Sequence, residues 1–124
     1  MPFNLTSIIL FVHHVELLKQ FYTQKFHLEI TEEIPSEWVV LKAGPCSIAL
    51  HKAGKGYDNA AGFKAHRNSK LVLEVDGDIF TLREQLFNEK VIISAVKTFD
   101  NYNYWLCDGE DPEGNVFQLR QKKS

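Results

Sequence analysis

The sequence predicts an α+β fold built from two βαβββ repeats. Three observations carry this. An apolar strand pattern near the start gives way to helical spacing and then to short strands. The same succession returns after residue 70. Near the end, Asp111-Pro112-Glu113-Gly114-Asn115 concentrates turn chemistry directly before Val116 to Leu119, which reads as a strand. Proline presets one backbone angle, glycine permits positive φ, and Asp and Asn bond nearby backbone groups. A tight turn feeding a strand sets that strand's register, and so sets which side chains face inward.

In the first repeat, Leu5 to Val12 is β-branched and apolar and reads as a strand. Ile8, Leu10 and Val12 share one face, and Ser7, Ile9, Phe11 and His13 share the other. Apolar residues on both faces predict that both are covered. Val15 to Phe26 switches to helical period, with Leu17, Leu18, Phe21, Tyr22 and Phe26 as its apolar stripe. His14 stands at the cap, where Asp or Asn is stronger. Leu28 to Glu33, Glu37 to Lys42 and Cys46 to His51 read as strands, with turns at Pro35-Ser36 and Ala43-Gly44-Pro45.

Residues 52–69 break the pattern, with three glycines and no steady period, and read as a connection. Gly54-Lys55-Gly56 lacks the spacing of a phosphate loop. In the second repeat Lys70 to Val75 is a strand and Asp78 a helix cap. Ile79 to Glu89 is amphipathic, with Leu82, Leu86 and Phe87 on its apolar side. Val91 to Lys97, Asn103 to Asp108 and Asn115 to Gln121 read as strands. The expected organisation is one domain over 1–124, with repeat one at about 5–52, a linker at 53–69 and repeat two at about 70–121. Neither repeat buries its sheet alone, so the two are expected to pack together or across a dimer.

At 124 residues the chain is long enough for a real core. A formal net charge of −2 gives no electrostatic case for nucleic acid or an anionic membrane. Ser7 to Val12 is too short to span a bilayer. Cys46 and Cys107 lie far apart in no Cys-x-x-Cys arrangement and read as reduced, buried thiols. With no signal-peptide pattern at the N-terminus, the expected location is cytoplasmic. No Gly-x-Ser-x-Gly or similar nucleophile motif is present.

The chain resembles the vicinal-oxygen-chelate superfamily, which groups glyoxalase I, bleomycin-resistance proteins, fosfomycin-resistance enzymes and extradiol dioxygenases. The resemblance rests on the paired βαβββ plan over nearly the whole chain. It rests also on the opening strand Ile8 to Val12 with Phe21-Tyr22 on its helix, and on Lys25-Phe26-His27-Leu28 where members often carry Leu-Gly-Phe. Asp111-Pro112-Glu113-Gly114-Asn115 before the last strand is its most specific mark. His14 departs from the usual Asp cap, and Gly77 adds a residue before the second helix.

The resemblance implies cupped mixed sheets around a cavity between the repeats. Metal-using members place four ligands there, from the first and last strand of each half. By strand pattern those positions here are Ser7, Ala49, Lys70 and Gln118. A catalytic divalent metal needs several His, Glu, Asp or Cys donors. Ala49 offers none, Ser7 is a poor ligand, and a charged Lys70 repels a cation, while Gln118 offers only an amide oxygen. No metal and no cofactor are therefore expected, and the sequence leans away from an enzyme. A different set, His13, His51 and His66 with Glu74 or Asp76, has no tight ligand spacing and reads as polar residues at strand ends.

The remaining site readings stay open in the sequence. Lys70 anchors a ligand carboxylate or phosphate, acts as a base if desolvated, or simply begins a strand at the solvent edge. Glu74 lies on the same strand face, about 13 Å along at roughly 3.3 Å per residue, and either pairs with Arg120 or meets a ligand. Phe11, Trp38, Tyr102, Tyr104 and Trp105 form a stacking surface or ordinary packing. The expected ligand-binding set is Ser7, Phe11, Trp38, His51, Lys70, Glu74, Tyr104 and Gln118.

The function these residues suggest is metal-independent binding of a small molecule, as in bleomycin-resistance proteins. The alternatives are a metal-dependent lyase, isomerase or dioxygenase of the superfamily, and a ligand-free interaction module. The expected partners are a small-molecule ligand and a second copy of the chain in a homodimer.

Overall fold

The computed structural model describes residues 2–54 and 69–124, and the chain divides into two compact units, Met1–Phe63 and Lys64–Ser124. The linker reading over 53–69, and His66 within it, falls mostly outside the described residues. The first unit runs β1 (Ser7–Val12), α1 (Val15–Phe26), β2 (Glu29–Ile34), β3 (Trp38–Ala43) and β4 (Cys46–Lys52). The second runs β5 (Lys70–Glu74), α2 (Ile79–Asn88), β6 (Ile92–Ile93), β7 (Tyr104–Glu110) and β8 (Val116–Lys122). Each unit is thus βαβββ, as the sequence predicts. No helix among the described residues is long and apolar enough to cross a membrane.

The two sheets share one plan, with strand orders β1-β4-β3-β2 and β5-β8-β7-β6. The first strand pairs in parallel with the last, and the last three pair antiparallel. A parallel pair requires a crossover, and the remainder of each unit, helix included, supplies it. The sheets are open, not closed into barrels.

In the first unit α1 covers one sheet face. Leu10 and Val12 from β1, Val39 and Leu41 from β3, and Ile48 and Leu50 from β4 meet Val15, Leu18, Phe21 and Tyr22 of the helix unit, all buried. Burying a side chain such as Leu18 contributes roughly 1.5–3 kcal/mol. The stripe is shifted from the sequence expectation: Val15 is inside, whereas Leu17 is 42% exposed. Lys19 ties the helix to β2 through Glu33 at 2.7 Å and pairs within the helix with Glu16 at 2.9 Å. Among the described residues of the first unit, α1 covers one face of β1. Ile9 and Phe11 on the other face stay 47% and 63% exposed.

Both ends of α1 carry unusual residues. His14 caps the start, its Nδ1 accepting from the Leu17 N–H at 3.0 Å. His27 caps the end at φ 56°, with its N–H donated to the Tyr22 carbonyl. This left-handed position is one where glycine costs least.

In the second unit Asp78 caps α2, accepting from Phe80 N at 2.9 Å and from the Thr81 hydroxyl at 2.7 Å. Gln121 on β8 adds a second cap, its Oε1 accepting from Ile79 N at 2.6 Å. Ile79 and Leu86 are buried, but Phe87 is 52% exposed, lying 4.6 Å from the Arg83 guanidinium. Phe87 therefore belongs to the helix surface and not to the apolar side expected of it.

The strand expected over Val91 to Lys97 is shortened to Ile92–Ile93. Ser94 N donates to Asp108 O, whereas Lys97 pairs with Leu106 in an isolated bridge. Three steps on one side thus face two on the other, a bulge that ends regular pairing. Arg83 fixes the departing segment through the carbonyls of Ser94 and Ile93, at 3.0 and 3.2 Å.

The turn before β8 is built as its composition requires. Asp111 is 3% exposed; its Oδ1 accepts from Glu113 N and Asn115 N, each at 2.9 Å, and its Oδ2 from the Asn115 amide at 2.8 Å. Gly114 takes φ 86°. Phe117 follows, fully buried across from Gly109.

Candidate functional site

Strand alternation leaves each sheet with a face opposite its helix. In the second unit that face carries Lys70, Val72 and Glu74 from β5, Val116, Gln118 and Arg120 from β8, and Asp108 and Glu110 from β7. Val72 is opposite Gln118, and Gln118 is opposite Asp108.

Asp108 is the hub of this face. Lys70 Nζ donates to its Oδ2 at 2.8 Å and Gln118 Nε2 to its Oδ1 at 2.9 Å. Burial alone pushes the Asp108 carboxyl up, but hydrogen bonds from Lys70 and Gln118, and the charges of Lys70 and Lys97, hold it below the usual carboxylate value. The group stays ionised and keeps Lys70 paired. Sequence reasoning missed Asp108. The available signal was cross-strand: once β7 and β8 are joined through the Asp111 turn, Asp108 falls directly opposite Gln118.

An open depression of about 490 Å³ adjoins this array, lined by Ser69, Lys70, Ile92, Asp108, Gly109, Glu110 and Val116. Toward the other end of β5, Arg120 donates to Glu74 Oε1 through Nε and Nη2, both at 3.1 Å. The Arg120 guanidinium also stacks 4.2 Å from the Tyr104 ring. Glu74 thus takes the pairing with Arg120 that was one of its two sequence readings. Glu74 and Asp76 line a second depression, of about 520 Å³, with Gln121 and Lys122.

In the first unit the corresponding face brings together Phe11, His51 and Trp38. The three are successive partners across β1, β4 and β3. The His51 ring sits edge-on to Phe11 at 5.4 Å and to Trp38 at 5.6 Å. Trp38 Nε1 donates to Glu32 at 2.6 Å. Ser7 starts β1 on this face but lies two rows away, opposite Ser47. Trp105, by contrast, packs on the α2 side against Phe80 at 5.2 Å, with Lys123 at 4.8 Å.

The four positions that the resemblance assigns to metal ligands follow one register in both units. Ala49 lies opposite Ile9, two residues past Ser7, and Gln118 opposite Val72, two residues past Lys70. Their chemistry does not fit a divalent cation. Ala49 has no donor and is 1% exposed, and Lys70 places an ammonium where a cation needs lone pairs. Gln118 turns its amide nitrogen toward Asp108. Among the described residues no group of three or more His, Cys, Asp and Glu side chains is placed to hold a metal ion.

Both cysteines are free. Cys107 is fully buried, and that burial pushes its thiol up to about 11, with the Asp108 charge adding to the shift and Arg83 opposing it. It is a core residue and not a nucleophile.

No protein-family model matches the chain, and no curated protein sequence matches it. Its likeness is to solved structures. Lactoylglutathione lyase from Agrobacterium tumefaciens superposes with a TM-score of 0.76 at 16% identity, over 97% of this chain and 94% of that one. A glyoxalase/bleomycin resistance protein/dioxygenase from Nocardioides gives 0.76 at 18% identity, over 100% of this chain and 86% of that one. A possible glyoxalase from Bacillus cereus gives 0.74 at 14% identity, over 95% and 98%. At these identities the likeness speaks for the fold. With its two βαβββ units, the chain has the fold of the glyoxalase, bleomycin-resistance and dioxygenase proteins that make up the vicinal-oxygen-chelate superfamily.

Proposed function

We propose that the protein is a metal-independent binder of a small molecule, in the manner of the bleomycin-resistance branch of its fold. One observation carries this reading: Lys70 and Gln118, at two of the positions the resemblance assigns to metal ligands, both donate to Asp108. The Lys70 ammonium supplies a fixed positive charge there, and its side chain is 46% exposed beside a depression of about 490 Å³. That volume lies in the range of small-ligand sites, roughly 300–1,000 Å³. The aromatic row Phe11, His51 and Trp38 adds a stacking surface on the first unit.

The test is ligand binding by metal-stripped protein. Small-molecule pools are titrated while Trp38 fluorescence is followed in a Trp105→Phe background, together with the backbone amide shifts of Lys70, Asp108 and Gln118. A saturable response without added metal supports the reading. Silence from every probe would overturn it, as would stoichiometric Zn, Ni, Mn or Fe in protein purified without chelator. The expected homodimer belongs to the same proposal, and sedimentation showing monomer alone would remove it.

A further inference from the structure

We infer that Asp76-Gly77 is a site of spontaneous aspartate isomerisation that loosens the start of α2, whereas the second Asp-Gly pair, Asp108-Gly109, is protected by its place in the sheet. The chain contains these two Asp-Gly pairs and no Asn-Gly. Asp76 and Gly77 stand between β5 and α2, outside both elements, and both are exposed. Among the described residues neither the Asp76 carboxylate nor the Gly77 N–H has a hydrogen-bond partner. Gly77 takes φ 147°, and no atom lies within 4 Å of where a Cβ would stand. Its nitrogen is therefore open to attack the neighbouring carboxyl, with no ladder to hold the backbone in one conformation. Asp76 and Gly77 also line the open depression of about 520 Å³ with Gln121 and Lys122, so water reaches the pair.

In the reaction the Gly77 amide nitrogen attacks the Asp76 side-chain carboxyl carbon. A C–N bond forms, and the carboxyl hydroxyl departs with the amide proton as water, leaving a cyclic succinimide. Water then opens the ring. Cleavage of the bond from nitrogen to the α-carbonyl leaves the main chain running through the side-chain carboxyl, as isoaspartate; cleavage of the other bond restores aspartate. The isoaspartyl chain carries an extra methylene two residues before Asp78. Asp78 accepts from Phe80 N and the Thr81 hydroxyl, and Gln121 accepts from Ile79 N. Moving Asp78 weakens these caps. Asp108-Gly109 has the same composition and the opposite setting. The Asp108 carboxylate accepts from Lys70 and Gln118. Its N–H donates to Ser94 Oγ at 3.1 Å, its carbonyl accepts from Ser94 N at 2.8 Å, and Gly109 pairs with Phe117 in the ladder. An extended strand keeps the glycine nitrogen away from the carboxyl carbon, so ring closure there requires β7 to open.

The test stores the full chain at neutral pH and body temperature, then digests it. Isoaspartate in each peptide is measured by fragmentation mass spectrometry and by methyl transfer from S-adenosylmethionine with an isoaspartyl carboxyl methyltransferase. The expected result is isoaspartate at Asp76 in excess over Asp108 by about tenfold or more, because Asp108 reacts only from a locally opened β7. In concentrated urea the two positions should approach parity. Asp76→Glu should abolish the signal at its position, since a glutamyl side chain must close a larger and slower ring. No isoaspartate at Asp76, or equal accumulation at Asp76 and Asp108 in folded protein, would overturn the inference. An excess at Asp76 that persists undiminished in urea would overturn the protection assigned to the sheet. In the isomerised fraction, separated by chromatography, the amides of Ile79 and Phe80 should exchange faster with solvent than in unmodified protein. Unchanged exchange would overturn the effect on α2.

Discussion

Lys70 and Asp108 are joined by a 2.8 Å salt bridge that passes over an entire strand. Lys70 is on β5 and Asp108 on β7, with β8 between them. At about 4.8 Å between neighbouring strands the two backbones lie roughly 10 Å apart, a gap that a lysine side chain can bridge. Gln118, on the intervening strand, donates to the other Asp108 oxygen at 2.9 Å. The stability this pair confers depends on pH. The Asp108 carboxyl is held below its ordinary value, so its contribution is present above the unfolded carboxylate pKa of about 4 and is lost as pH falls through the folded value. The side chains are 46% and 34% exposed, so the effect should be about 1 kcal/mol or less. Urea unfolding across the acid range should show Asp108→Asn with a flatter pH dependence than wild type. An identical slope would disprove the coupling.

Gly109 leaves no room for a side chain. A Cβ there would overlap the Phe117 ring and come within 2.9 Å of the Ile92 carbonyl oxygen. Gly109→Ala should destabilise by about 1–3 kcal/mol through overpacking. Adding Phe117→Leu should make the glycine substitution cheaper in a double-mutant cycle, and strict additivity would argue against the clash.

The Asp111 carboxylate accepts three hydrogen bonds from its own turn. Asp111→Ala strands the N–H groups of Glu113 and Asn115 in a buried turn, at a cost of about 1–3 kcal/mol for each group left unsatisfied. Asp111→Asn keeps one acceptor oxygen and should fall between wild type and alanine. Chemical denaturation of the three proteins gives the order directly.

His27 ends α1 at φ 56°. His27→Gly removes the side-chain cost of that conformation and should stabilise, by about 1 kcal/mol or less. A fall in the unfolding midpoint would show that the imidazole contributes more than the conformation costs.

Cys107 should resist thiol reagents in the folded protein. Its thiol is pushed up to about 11 by burial, so almost none is thiolate at neutral pH. Cys46 is only partly buried. Titration with an aromatic disulfide should therefore find one reactive thiol in native protein and two after denaturation.

Local chemistry made much of this molecule legible before its structure. The period switch at Val15 places α1 at Val15–Phe26, and Asp78 stands at the start of α2, because capping and amphipathicity act within a few residues. The Asp111 turn is equally local, since its proline, glycine and carboxylate all act within one turn. The short β6 was not legible: its bulge depends on which residues of β7 it faces, and Arg83 from α2 helps to set it. Phe87 has the spacing of a core residue, yet the position of α2 on its sheet leaves it exposed.

By itself, then, the sequence determined the repeat, the caps, the turn and the poor metal-ligand character of Ser7, Ala49, Lys70 and Gln118. Only the tertiary structure decided what those residues do instead. Lys70, Asp108 and Gln118 are separated by up to 48 positions in the chain, and nothing in their spacing brings them together. The parallel pairing of β5 with β8, and the antiparallel pairing of β8 with β7, puts all three on one face within hydrogen-bond reach. Sheet register is a long-range property, and it turned an isolated lysine and glutamine into partners of one carboxylate, Asp108.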